Sequence, residues 1–127
     1  VSAFVQSRFT LGEEFANVWQ QAVENHERHS QTGDDESDIR FLALGLTGEA
    51  GELANFIKKR WRDGDKHETD IIAEIADVCA YAFMLSHKMG VGPLTLIREI
   101  ARKQQVFLAK MAARGETVSP DLEDRAR

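Results

Sequence analysis

Apolar residues recur at intervals of three and four through most of this chain, and no alternating run rich in Val, Ile and Thr interrupts them. That period belongs to helices, whose residues advance by about 100° each, and not to half-buried strands, whose side chains alternate. An all-α fold in four segments is predicted. Thr10 and Glu13 stand in capping-box spacing ahead of a helix running to about His29. The polar stretch HSQTGDDESD at 29 to 38 reads as a loop, with Ser37 or Asp38 capping the next helix. That second helix is expected from about Ile39 to Trp61, ended by the turn signal Asp63-Gly64-Asp65. The third begins at Glu68 or Thr69 and stops at Gly90; the fourth starts at Pro93 and fades near Gly115. Short connections make the second, third and fourth helices antiparallel to their neighbours, which predicts a four-helix bundle or a share of a larger one.

The pattern is broken in an informative way on the middle helices. Leu42, Leu46, Leu53, Phe56 and Ile57 form one apolar stripe, yet Glu49 falls inside it and Glu52 lies on its edge. An ionised carboxylate in apolar surroundings needs a compensating partner, and a metal ion is one. Gly48 and Gly51 alternate with these glutamates, although each Gly costs roughly 1 kcal/mol in a helix interior relative to Ala. The two glycines leave a bare strip on which a neighbouring helix or a ligand can approach. On the third helix Ile71, Ile75, Val78, Ala82 and Leu85 make the apolar stripe, with Glu74, Asp77 and Tyr81 along one flank. Antiparallel packing across the turn near Gly64 lets the two acidic pairs converge. Four carboxylates without His or Cys suit Mg²⁺ or Mn²⁺ rather than Zn²⁺, which points to phosphate chemistry. A solvated face accounts for a lone E-x-x-E; it does not account for two pairs on consecutive helices with one inside an apolar stripe.

Other side chains are candidates with two readings each. Lys58, Lys59, Arg60 and Arg62 close the second helix, where favourable contact with its C-terminus and phosphate binding explain them equally well. Trp61 is either a packing residue or a platform for a base, and Tyr81 either touches a ligand or is a core tyrosine with a satisfied hydroxyl. Lys103, beside Arg102 on the fourth helix, is either solvated or reaches a phosphate. His26, His29, His67 and His87 form no ligand spacing with the carboxylates and receive no role.

Composition narrows the class. At 127 residues, 43% hydrophobic and 29% charged, the chain suits one domain, taken as residues 1–115 with a charged tail at 116–127. A net charge of −5 disfavours binding to nucleic-acid polymers but leaves a small phosphorylated ligand open. No apolar run is long enough to span a membrane and the first residues do not read as a secretory signal, so a cytoplasmic location is expected. The single Cys79 lies in an apolar helical pattern and reads as core filling. Phe41, Leu44 and Trp61 project away from the main stripe of the second helix, which predicts a symmetric homo-oligomer.

The segments LGLTGEAGELANFIKKRW and EIADVCAYAFMLSHKMG together resemble the MazG-like, all-α nucleoside triphosphate pyrophosphatase superfamily, whose pattern is E-x-x-E, a spacer and E-x-x-D. Here the pairs are Glu49/Glu52 and Glu74/Asp77, and the resemblance covers about residues 38 to 110. It implies Mg²⁺ held by these four carboxylates and hydrolysis of a nucleoside or deoxynucleoside triphosphate to the monophosphate and pyrophosphate. It also implies a housekeeping role in nucleotide pools and assembly into homodimers or homotetramers. Many relatives carry an Asn among basic residues on the last helix, whereas REIARKQQVFLAK has none and offers Lys103 and Gln104 instead. Among the carboxylates, Glu49 is expected to be the general base, as the acid most enclosed by apolar neighbours. Two other classes compete with this reading. A di-iron bundle would need Glu-x-x-His spacing, which is missing, and a non-catalytic helical oligomer would use the acids as ion-pair partners of the basic run.

Overall fold

The computed structural model describes residues 9–64 and 67–115, and the 116–127 segment read as a tail lies outside them. The expected all-α class is what forms: α1 (Leu11–His29), α2 (Asp35–Asp63), α3 (Glu68–Lys88) and α4 (Pro93–Ala113), with no strand among the described residues. The described residues up to Pro93 form one compact unit holding α1, α2 and α3, and α4 from Leu94 onward belongs to a second unit. No helix among the described residues is long and apolar enough to cross a membrane.

Local chemistry explains the helix ends. Thr10 Oγ1 accepts the Glu13 backbone N–H at 3.2 Å, as the capping spacing predicts. At the other end of α2, Gly64 takes a φ of 83° and donates its N–H to the Arg60 carbonyl at 2.7 Å. A residue with a Cβ adopts that backbone poorly, so the helix stops there. The start of α2 differs from expectation. The helix begins at Asp35, with Asp34 in the capping position, and Asp38 is not a cap but a fully buried residue of the first turn.

Side-chain contacts give the directions of packing. Asp38 near the start of α2 meets Lys88 at the end of α3 at 3.0 Å, while Arg60 near the end of α2 meets Glu68 at the start of α3 at 3.7 Å. The two helices are therefore antiparallel. Along α1, Phe15 and Trp19 pack on Phe83, with ring centroids 5.2 and 5.1 Å away, and Glu27 pairs with His87 at 3.8 Å. Both helices advance together through these contacts, so α1 runs parallel to α3.

The fully enclosed core is small. Trp19, Ala22, Val23 and Leu42 are its buried apolar members, and His26 and Asp38 are buried beside them. The stripe read on α2 grades from buried Leu42 through half-buried Leu46, Leu53 and Phe56 to half-exposed Ile57. Cys79 is exposed, so it does not fill the core: it projects from a side of α3 that neither α1 nor α2 covers within the chain. Large apolar side chains also stand in solvent on α2 and α3, led by Trp61 at 90%, Leu44 at 73% and Ile72 at 66% exposure.

The close approach of α2 to α3 falls at Gly45. A Cβ there would lie 2.3 Å from Tyr81 Cε1, whereas a Cβ at Gly48 or Gly51 would meet nothing within 4 Å. Among the described residues the bare strip expected at Gly48 and Gly51 is thus open space, and the glycine against which the neighbouring α3 packs is one turn earlier. On α4, about 100° per residue places Ile97, Ile100, Phe107 and Met111 on one side and Arg98, Arg102 and Lys110 on the other, an amphipathic pattern.

Candidate metal centre

Glu49 and Glu52 rise from the middle of α2, and Glu74 and Asp77 from the first half of α3. Antiparallel packing puts Gly45 opposite Tyr81, so one turn further along α2 and one turn back along α3 Glu49 comes opposite Asp77. Glu49, Glu74 and Asp77 each offer a carboxylate oxygen within 4.8 Å of the others. Glu52 is exposed and stands outside this set of three, but its charge still acts on Glu74.

Glu74 is the most constrained member. Its Oε2 is buried and has no hydrogen-bond partner among the described residues. Its pKa is pushed up to about 7, first by burial, then by a side-chain hydrogen bond with Glu49, then by the charges of Glu52, Glu49 and Asp77. The enclosure expected of Glu49 is therefore most developed at Glu74, because the α3 residue projects into the seam between the two helices. A buried oxygen without a partner beside two further carboxylates is a donor set that a divalent cation would satisfy, and oxygen donors alone suit a hard ion such as Mg²⁺.

The basic run begins about two and a half turns beyond Glu49, with Lys58 exposed and on the opposite side of α2 from it. Lys59 Nζ sits 4.8 Å from the centroid of the Phe56 ring, a cation–π contact. Arg62 donates to both carboxylate oxygens of Asp63, at 2.8 and 2.9 Å, and this pairing raises its pKa further. Trp61 is almost wholly exposed and Tyr81 lays its ring against Gly45. Lys103 lines a surface recess of about 330 Å³ on α4 together with Arg102, Val106, Phe107 and Lys110. Arg102 is held there by Glu99, through Nε at 2.9 Å.

A second polar cluster, at the junction of α1, α2 and α3, was not assigned from sequence. Asp38 accepts hydrogen bonds from the Thr32 backbone N–H at 2.9 Å and the Thr32 hydroxyl at 2.7 Å, and faces Lys88 Nζ, which also meets Asp35 at 2.9 Å. The Thr32 hydroxyl first, then the backbone N–H and Lys88, hold the Asp38 carboxyl down at about 2 against the opposing effect of burial. His26 is buried beside it, with Nδ1 2.6 Å from Ser30 Oγ and Nε2 without a partner among the described residues. The signal was available in the pattern. Asp38 falls in the same helical direction as Leu42 and Phe56, and Lys88 in that of Asp77 and Tyr81, so each is a charge aligned with residues that meet the neighbouring helix.

The fold and this site define an all-α protein with a carboxylate cluster between two antiparallel helices. No protein-family model matches the chain, and no solved structure matches it. The Gene 37 protein of Mycobacterium phage L5 is 31% identical over 96 residues, which cover 70% of this chain and 84% of the phage protein. The chain belongs to the family of that phage protein.

Proposed function

We propose that this protein is a MazG-like, Mg²⁺-dependent pyrophosphohydrolase that converts a nucleoside or deoxynucleoside triphosphate to the monophosphate and pyrophosphate. The observation that carries the reading is the convergence of Glu49, Glu74 and Asp77 around a buried, unpartnered Glu74 oxygen. Ordinary surface acids are solvated; an orphaned carboxylate oxygen inside a cluster of like charge is destabilising unless a proton or a cation binds, and above pH 7 a divalent cation is the partner that remains. Glu49, Glu74 and Asp77 are assigned as ligands, with Glu52 completing the set from the exposed side. A bound Mg²⁺, or Mn²⁺ in its place, supplies positive charge against the polyphosphate.

The general base is assigned to Glu49 and not to the more enclosed Glu74, because the half-buried Glu49 carboxylate remains open to an attacking water, whose proton it takes on a carboxylate oxygen. Glu74, whose free oxygen lies deepest, is the anchoring ligand. Lys59 and Arg62 are assigned to the phosphates and Trp61 to the base, its exposed indole offering a stacking face, while Lys58 stands on the opposite side of α2 from Glu49 and is not included. Pyrophosphate release from a panel of common and modified nucleotides, with Mg²⁺ and with chelator, tests the reading. Pyrophosphate and monophosphate in the Mg²⁺ arm alone support it; absence of both products across the panel removes it.

The second reading is a non-catalytic oligomeric scaffold, favoured by the solvent-facing Leu44, Trp61 and Ile72. It becomes the better account if the panel is inert while the protein is multimeric.

A further inference from the structure

The contact between Gly45 and Tyr81 lies one turn from the carboxylates on both helices. Gly45 precedes Glu49 by four residues on α2, and Tyr81 follows Asp77 by four on α3, so each pair shares a helix face. At Gly45 the Tyr81 ring occupies the volume a side chain would need: a Cβ would lie 2.3 Å from Cε1 and 2.8 Å from both Cδ1 and Cζ. Three atoms of one rigid ring are involved, so a small torsional adjustment does not clear them. Either the ring leaves the seam or the two helices separate. Gly48, one turn nearer the C-terminus but aimed away, has open space in the same place.

We propose that the Gly45–Tyr81 contact is a spacer that sets the distance between α2 and α3 at the acidic cluster, and through it the affinity of Glu49, Glu74 and Asp77 for a divalent cation. This rests on reading the cluster as a metal centre. The oxygens of Glu49 and of the α3 pair lie within 4.8 Å, a span a cation bridges only if the helices stay close. Divalent-ion coordination tolerates little change in oxygen position, so a widened seam costs ligand bonds directly. Tyr81 is thus a positioning residue, acting on the carboxylates through the helix spacing and not through its hydroxyl.

The test is calorimetric titration of Mn²⁺ into the full chain, at matched ionic strength, for wild type, Gly45→Ala, Gly48→Ala, Tyr81→Ala and Gly45→Ala/Tyr81→Ala. Circular dichroism of each monitors helicity. Both glycine variants raise helix propensity by the same amount, so propensity alone predicts equal behaviour. The spacer predicts that Gly45→Ala weakens Mn²⁺ binding on the order of 10- to 100-fold, as loss of a ligand-orienting partner does, while Gly48→Ala binds like wild type. It also predicts that adding the Cβ at position 45 does no harm once Tyr81 is Ala.

Where Gly45→Ala fails to fold, the Tyr81→Ala pair gives the answer, since the same Cβ must then be tolerated. Equal affinity of wild type and Gly45→Ala overturns the spacer and leaves the metal centre standing. So does an equal loss on adding the Cβ with and without the Tyr81 ring. Absence of Mn²⁺ binding by wild type overturns the metal centre itself, and the spacer with it.

Discussion

Asp38 and Lys88 meet at 3.0 Å across the open end of the α2–α3 pair, Asp38 fully buried and the Lys88 side chain only 11% exposed. The pair fixes the register of two antiparallel helices, because each partner is the charge nearest the end of its own helix on the packed face. Once Asp38 opposes Lys88, Gly45 opposes Tyr81 and Glu49 opposes Asp77 by helical geometry alone. A structural ion pair near one end and the acidic cluster further along are therefore one arrangement.

The first prediction concerns acid. Asp38 has a folded pKa of about 2 against an ordinary 3.8, so it stabilises the fold above 3.8 and that contribution is lost as pH falls from 3.8 through about 2. His26 has its pKa lowered from 6.5, mainly by burial and against the pull of Asp38, so the fold prefers its neutral form and weakens as pH falls below 6.5. With Glu74→Gln as the background, which removes the opposing titration of that acid, urea midpoints across pH 7 to 2 should fall in two stages. Asp38→Asn should lower the midpoint at neutral pH and erase the lower stage, and a variant that titrates like wild type there would contradict the assignment.

The second concerns Glu74, where the sign is opposite. With a folded pKa of about 7 against 4.5, its contribution to stability is present below 4.5 and is lost as pH rises through about 7. Metal-free protein should therefore lose stability over that window, and Mg²⁺ should restore it above pH 7, where the cation no longer competes with a proton. At free metal 100 times the Kd the gain is about 2.7 kcal/mol. Glu74→Gln should lack this loss on going to higher pH without metal and respond little to Mg²⁺. Melting temperatures at matched ionic strength check this, since monovalent salt also relieves repulsion.

The third concerns catalysis. Glu49→Gln is nearly isosteric, so the helical fold should survive while turnover of the preferred nucleotide drops by about 10² to 10⁴. Stopped pyrophosphate assays on wild type and variant, with circular dichroism alongside, measure it; wild-type turnover in the variant would remove Glu49 as the base.

The fourth concerns assembly. Trp61, Leu44 and Ile72 are each at least 66% exposed, and the buried core of the described residues holds only four apolar side chains, so further burial by a second copy is expected. Light scattering at micromolar concentration should return a multiple of 14.3 kDa. Leu44→Glu should shift the mass toward one chain, and a monomeric wild type would refute the expectation.

Helical segments, their approximate ends and the two acidic pairs are legible in the sequence, because helical period, capping and glycine stops are local properties of neighbouring residues. Thr10 and Gly64 act where the pattern puts them. The same local logic misled at Asp38, which has a cap's chemistry and position but finds its partner 50 positions away in Lys88 (38 to 88). It misled again at the glycines. GEAGE draws attention to Gly48 and Gly51, yet Gly45 is the one whose missing side chain a neighbour uses. What only the tertiary structure decided is which residues stand opposite one another. That choice makes Glu74 rather than Glu49 the acid with an orphaned oxygen, leaves Glu52 at the edge and turns Tyr81 onto a backbone. A helix sets the order of side chains on its own surface. The register between two helices comes from burying distant side chains together and matching a buried charge with its counter-charge, and neither is written in the period of either segment.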